Sequence, residues 1–163
     1  MKQIAATILL IVWLPLLAAA QDSNYSKGHG YVYVAPGVAT EWENAKTVQV
    51  GAGGEGFLTK YVGLGADAGY LAQFEDYRNL GTFSLYAVGR FRPKTSNNKV
   101  EPFVTGGYTH FFRWGTPNGI NFGGGVNYWF TDHVALRCEV RDNARGSRPL
   151  HHFVGFRIGL AFR

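Results

Sequence analysis

The chain has 163 residues and a formal net charge of +5, and its charged residues amount to 17%, against roughly 25% in ordinary soluble domains. Aromatic residues make up 15% and there are 22 glycines. A disordered chain is therefore excluded, and so is a helical bundle, because each glycine inside a helix costs about 1 kcal/mol. No apolar run after residue 20 is long enough for a membrane-spanning helix. The composition favours a single all-β domain, and the dispersed charge does not suit nucleic-acid binding.

The N-terminus has the pattern of a secretory signal peptide. Lys2 supplies a basic start, residues 4–17 are almost entirely apolar, and Ala18 to Ala20 offer a small-residue cleavage site. We expect residues 1–20 to be removed after export and residues 21–163 to form the mature domain. The alternative is that the segment stays as a membrane anchor, although it is short for a span.

The hydrophobic pattern predicts eight β-strands. The first, at 30–39, is apolar on both faces and contains Pro36, so the pattern does not decide which face points inward. Seven strands with apolar and small or polar residues in alternation follow in chain order, at 48–55, 62–70, 83–91, 100–112, 120–130, 134–141 and 152–162. Turn-forming residues separate them, for example at 75–81 and 143–149. An even number of strands of roughly 9 to 12 residues is typical of a small transmembrane barrel.

The polar face of these strands differs from a surface washed by water. It carries many glycines and almost no lysine, and its charges are balanced. The acidic residues are Glu55, Asp67, Glu101 and Glu139, and the basic residues are Arg90, Arg137, Arg141 and Arg157. Such a balance predicts ion pairs in a confined lumen, where unpaired charges would be costly. A soluble lipocalin-like ligand-binding barrel, with the apolar face inward, is the alternative that alternation alone leaves open.

The segment from Asn121 to Arg141, NFGGGVNYWFTDHVALRCEVR, resembles the closing hairpin of OmpA-like outer-membrane β-barrel domains. The segments 102–108 and 156–162 resemble other strands of the same domain. The resemblance implies an all-β fold, namely an eight-stranded antiparallel up-and-down transmembrane β-barrel in the bacterial outer membrane. One departure is Arg163, because the barrels of this family usually end on the aromatic residue that here precedes it.

Eight strands close into a barrel whose interior is just filled by side chains, so a wide pore is not expected. We expect the charged lumen to brace the barrel of a protein with a structural or surface-interaction role. The alternative is a narrow ion path that opens when Glu139 exchanges its arginine partners.

The last connection is basic. Arg145, Arg148 and His151 fall near it, and a periplasmic N-terminus would place it outside the cell, close to lipopolysaccharide phosphates. We therefore expect contacts with outer-membrane lipids and lipopolysaccharide, and a monomer. No cofactor, metal site or nucleic-acid partner is expected.

Catalysis is not expected either. The best combination of groups, His110 with Ser84 or Ser147, is distributed over different faces and strands, and there is no Gly-x-Ser-x-Gly sequence.

Overall fold

A computed structural model describes residues 27–40, 45–74, 79–91, 99–112, 118–146 and 151–163. The predicted leader, residues 1–20, lies outside them. The strands are β1 (Gly28–Ala39), β2 (Ala45–Phe57), β3 (Val62–Gln73), β4 (Asn79–Arg90), β5 (Val100–Phe112), β6 (Gly119–Trp129), β7 (Val134–Arg145) and β8 (His151–Phe162). No helix among the described residues has the length and apolar character needed to traverse a bilayer.

The sheet closes on itself. Each strand pairs antiparallel with the next, and β8 pairs antiparallel with β1. The pairing register can be followed from Gly30 of β1 through all eight strands and back to the first. It returns at Thr40, directly after β1, a shift of 40 − 30 = 10 residues. In a barrel of eight strands this shift corresponds to a strand tilt of about 40°. At about 3.3 Å per residue, a tilted strand of about 12 residues spans roughly 30 Å, the thickness of a bilayer core.

The two ends of the barrel differ. The first and last described residues, Lys27 and Arg163, lie at one end, together with the four-residue turns at 58–61 and 130–133. We call this the terminal end and the opposite one the loop end. Each of the two turns is closed by a backbone hydrogen bond of 3.0 Å, from Leu58 to Val62 and from Phe130 to Val134.

The apolar face of the strands points outward. Val140 at the middle of β7 is 50% exposed, whereas Glu139 and Arg141 on either side of it are buried. In β1, whose facing the sequence left undecided, Val32 and Val34 point outward while Tyr31 and Tyr33 point inward. This facing is the reverse of a soluble lipocalin-like barrel, so that alternative is wrong.

Two of the turns predicted from the sequence, at 75–81 and 143–149, are longer than the connections in the structure. β4 already begins at Asn79, and β7 continues to Arg145, which pairs in register with His151. Asn143 and Arg145 keep the inward alternation of β7, so pairing with β8 overrides their local turn preference. The expectation of a turn at residues 143–145 is therefore wrong.

Apolar side chains pack inside the lumen in three clusters. We call the cluster at the loop end the loop-end plug; it consists of Ala39, Leu71, Leu80, Phe111 and Phe153. Towards the terminal end, buried apolar residues form two clusters, one containing Phe57, Tyr86, Val88 and Phe103, the other Tyr31, Tyr33, Ala35, Trp129, Ala135 and Ala161. Most of the charged residues of the lumen lie on the terminal side of the loop-end plug, among and next to the residues of these two clusters.

Candidate functional site

A chain of alternating charges runs through the middle of the lumen. In order of contact, its members are Glu55, Arg137, Glu139, Arg141, Asp67 and Arg157. These three carboxylates and three guanidinium groups give a formal charge of zero. Their side chains are at most 2% exposed. Because every charge has an opposite neighbour, the desolvation cost of the group is offset within the lumen.

The contacts of this charge chain connect strands across the barrel. Arg137 Nη2 lies 2.8 Å from Glu55 Oε1 and 3.1 Å from Glu139 Oε2. Arg141 Nε lies 2.6 Å from Glu139 Oε1, and its Nη1 lies 2.7 Å from Asp67 Oδ2. The same Asp67 oxygen is 3.1 Å from Arg157 Nη1. β7 and β8 are thereby tied to β2 and β3 on the other side of the lumen.

Three tyrosines surround the charge chain. The hydroxyl groups of Tyr31 and Tyr33 donate to Asp67 at 3.2 and 3.4 Å, and that of Tyr86 donates to Glu55 at 3.3 Å. Their rings also stack on guanidinium groups, with Arg141 Cζ 4.5 Å from the centroid of the Tyr86 ring. The tyrosines therefore hold the carboxylates by hydrogen bonds and the arginines by cation–π contacts.

These tyrosines were not among the residues predicted from the sequence to form the site. A signal was present in the glycines of neighbouring strands. A Cβ atom on Gly65 would overlap the ring of Tyr86, so the ring occupies the space that a side chain on β3 would need. The packing of tyrosine rings in the lumen could have been predicted from this pattern, in which an inward tyrosine lies beside inward glycines on the adjacent strands.

Arg90 and Glu101 belong to a separate group at the terminal end. Arg90 Nη1 lies 3.6 Å from Glu101 Oε2, and the guanidinium of Arg90 stacks on Phe57 at 3.5 Å. Arg163 closes over the same region, with Nη2 at 3.8 Å from Glu101 Oε2 and Cζ at 3.5 Å from the Trp129 ring. The eight charged residues predicted to share the lumen thus divide into a central chain of six and this pair.

A layer of neutral hydrogen bonds separates the charge chain from the loop-end plug. Thr109 Oγ1 donates to Asn143 Oδ1 at 2.9 Å and accepts a hydrogen bond from Asn121 Nδ2 at 3.0 Å. Nearby, Gln49 Nε2 donates to Thr82 Oγ1 at 2.8 Å. A cavity of about 10 Å³ lies beside Gln49 and Asn143, which is room for about one water molecule.

The three residues expected to contact lipopolysaccharide do not lie together on an exposed loop. Arg145 is only 4% exposed and points into the barrel, where its Cζ lies 4.8 Å from the Phe153 ring and 5.7 Å from the Phe111 ring. Its assignment to an exposed loop is wrong, because it continues the inward alternation of β7. His151 begins β8 and is half-buried, and Arg148 lies outside the described residues.

The candidate catalytic groups do not come together. His110 is exposed on the outer wall, whereas Ser84 is 1% exposed in the lumen, where its hydroxyl pairs with Thr109 at 3.0 Å. Ser147 lies outside the described residues. Within the described part of the chain, no three His, Cys, Asp or Glu side chains are grouped as metal ligands.

Comparison with known proteins agrees with this architecture. Residues 6–162 match the family described as "Outer membrane protein beta-barrel domain". The chain belongs to this family. It is an integral protein of the bacterial outer membrane, and the predicted fold class and localisation are confirmed. No curated protein matches the sequence.

Solved outer-membrane barrels share the fold at low sequence identity. Neisserial surface protein A is 16% identical over 84% of this chain and 97% of its own, with a TM-score of 0.65. The N-terminal β-barrel domain of Pseudomonas aeruginosa OprF is 19% identical over 82% of this chain and 97% of its own, with a TM-score of 0.56. For the attachment invasion locus protein Ail of Yersinia pestis, the identity is 11%, the coverages are 84% and 99%, and the TM-score is 0.51.

Proposed function

We propose that this outer-membrane barrel is sealed and non-conducting, and that it acts through its outer surfaces rather than through its lumen. The observation that carries the proposal is the filled interior: the neutral charge chain is packed against tyrosine rings, with the loop-end plug on one side and the Arg90–Glu101 pair on the other. An ion in transit would have to displace paired charges, and the cavity beside Gln49 and Asn143 has room for only about one water molecule. Such a barrel has a structural or surface-interaction role and performs no catalysis.

The proposal is tested by conductance in planar bilayers. The mature chain, which we take to be residues 21–163, is refolded in detergent and inserted, with a general porin as a positive control. We expect no reproducible unitary conductance from the parent protein. Conductance steps whose number scales with the amount of inserted barrel would refute the sealed lumen and support the narrow ion path.

A variant with a hollowed lumen sharpens this test. Glu139→Ala combined with Arg141→Ala removes one charge of each sign, so the lumen stays neutral while a central ion pair is lost. We expect this variant to leak ions. The control is Val140→Ala, which shortens a side chain on the outer wall between these two positions. Folding of each variant is verified by its heat-dependent mobility on a gel.

We further propose that the barrel is a monomer that contacts lipopolysaccharide at the loop end. A closed barrel has no free strand edge through which copies could pair. With Arg145 inside the barrel, Arg148 and His151 remain as candidates for phosphate contact. Analytical ultracentrifugation in detergent tests the monomer. Lipopolysaccharide binding by an Arg148→Gln variant, compared with the parent, tests the contact.

A further inference from the structure

Exposed lysines are concentrated at the terminal end. Lys27 precedes β1, Lys60 lies in the turn between β2 and β3, and Lys99 precedes β5. All three lysines are exposed. Among the described residues of this end, one acidic residue, Asp132, is exposed. Among the described residues of the loop end, Lys46 is the exposed lysine. The described surface is therefore more positive at the terminal end.

Hydrogen bonds to their carbonyl oxygens position these lysines at the terminal end of the barrel. The backbone N–H groups of Phe57 and Trp129 donate to the carbonyl oxygens of Lys27 and Lys99 at 2.8 and 2.7 Å. Arg90 Nε donates to the carbonyl oxygen of Lys60 at 2.9 Å. The backbone of each lysine is thus bound to the terminal end of the barrel wall, while its side chain is exposed.

Exposed aromatic residues lie next to the lysines. The most exposed are Tyr61, Phe91, Phe130 and Phe162, at 47%, 57%, 51% and 44%. Lys60 Nζ lies 5.1 Å from the centroid of the Tyr61 ring. In membrane proteins such aromatic residues mark the boundary between hydrocarbon and headgroups, and adjacent lysines extend their amines to the headgroups. The lysine amines are thereby at the level of lipid phosphates.

We propose that this terminal-end lysine rim, Lys27, Lys60 and Lys99, binds anionic phospholipid headgroups of the leaflet around it. With the N-terminus in the periplasm, that is the periplasmic leaflet of the outer membrane. A soluble polyanion such as a cell-wall glycan fits less well, because the two described turns of this end, 58–61 and 130–133, are short and closed by backbone hydrogen bonds and so offer little surface beyond the barrel wall. The rim recognises the phosphate and the net negative charge of the lipid.

The test measures lipid selectivity at the barrel surface. The refolded protein is reconstituted in phosphatidylcholine vesicles that contain spin-labelled phosphatidylglycerol or spin-labelled phosphatidylcholine, and the immobilised fraction of each label is measured. The variant combines Lys27→Gln, Lys60→Gln and Lys99→Gln. The matched control is Lys46→Gln, which removes one exposed lysine at the opposite end. Gel mobility with and without heating verifies that all proteins are folded.

We expect the parent to prefer phosphatidylglycerol over phosphatidylcholine by roughly two- to fivefold at low salt, and the preference to fall as salt is raised. The triple variant should lose most of this preference, and Lys46→Gln should retain it. A triple variant with the selectivity of the parent would overturn the proposal. It would equally be overturned if Lys46→Gln lost as much selectivity as the triple variant, or if the rim lysines affected only the binding of soluble cell-wall fragments.

Discussion

Glu139 is the residue whose removal most directly tests the charge chain. Its two carboxylate oxygens contact Arg141 Nε at 2.6 Å and Arg137 Nη2 at 3.1 Å, so it joins the two halves of the chain. Glu139→Ala leaves three guanidinium groups facing two carboxylates, all of them buried in the lumen. The buried group then carries one uncompensated positive charge.

The structure gives the size of the effect. Removing one partner of a buried ion pair costs about 3–5 kcal/mol. Arg137 keeps Glu55 at 2.8 Å and Arg141 keeps Asp67 at 2.7 Å, so neither arginine becomes isolated. We therefore expect a loss near the lower limit, about 3 kcal/mol. Glu139→Gln keeps an acceptor for Arg141 but not the charge, and should cost about 1–3 kcal/mol.

The assay is urea unfolding in lipid vesicles. The folded fraction is measured by gel mobility and by the fluorescence of the tryptophans, which include Trp129 in the lumen. Val140→Ala is the control, because it changes the outer wall of the same strand next to Glu139. If Glu139→Ala were as stable as Val140→Ala, the charge chain would not be a significant part of the stability of the barrel.

Three further outcomes follow from the same structure, each measured by urea unfolding or by gel mobility. Val140→Arg, at the middle of β7, should lower the free energy of unfolding by about 2–4 kcal/mol, whereas Leu136→Arg, near the terminal end, should lower it by about 0–1 kcal/mol. Equal losses would contradict the depths in the membrane that we assign to these two residues. Gly65→Ala should destabilise by about 1–3 kcal/mol, because the new methyl group overlaps the Tyr86 ring. A neutral effect would contradict that packing. The unheated protein should migrate differently from the boiled one in a gel, and identical mobility would argue against a barrel that resists detergent.

The sequence was sufficient for the fold class and for the inward placement of the eight predicted charges. Alternation with a period of two is a local property, so it assigns each residue of a strand to one of two faces without knowledge of the other strands. It succeeded for β2 to β8, where one face is apolar. It did not decide β1, because Tyr31 and Tyr33 on the inner face are as apolar in the pattern as Val32 and Val34 on the outer face.

The sequence was less informative at the strand ends. Asn143 and Arg145 have the local character of a turn, and the ladder with β8 incorporates them into β7 instead. The interior position of Arg145 follows from that extension, and the lipopolysaccharide contact assigned to it was lost with it. The end of a strand depends on its pairing with the neighbouring strand, and local turn preferences carry no information about that pairing.

The tertiary structure alone decided which charges meet. Arg137 and Glu55 are separated by 82 positions, and Arg157 and Asp67 by 90. Their contact depends on the shift of ten residues around the closed barrel, which sets the height of each inward side chain relative to those across the lumen. The sequence by itself thus determined the faces and the charge balance. Closure of the barrel divided those charges into a central chain and a terminal-end pair, because pairing across a lumen is a property of the whole register and not of any one strand.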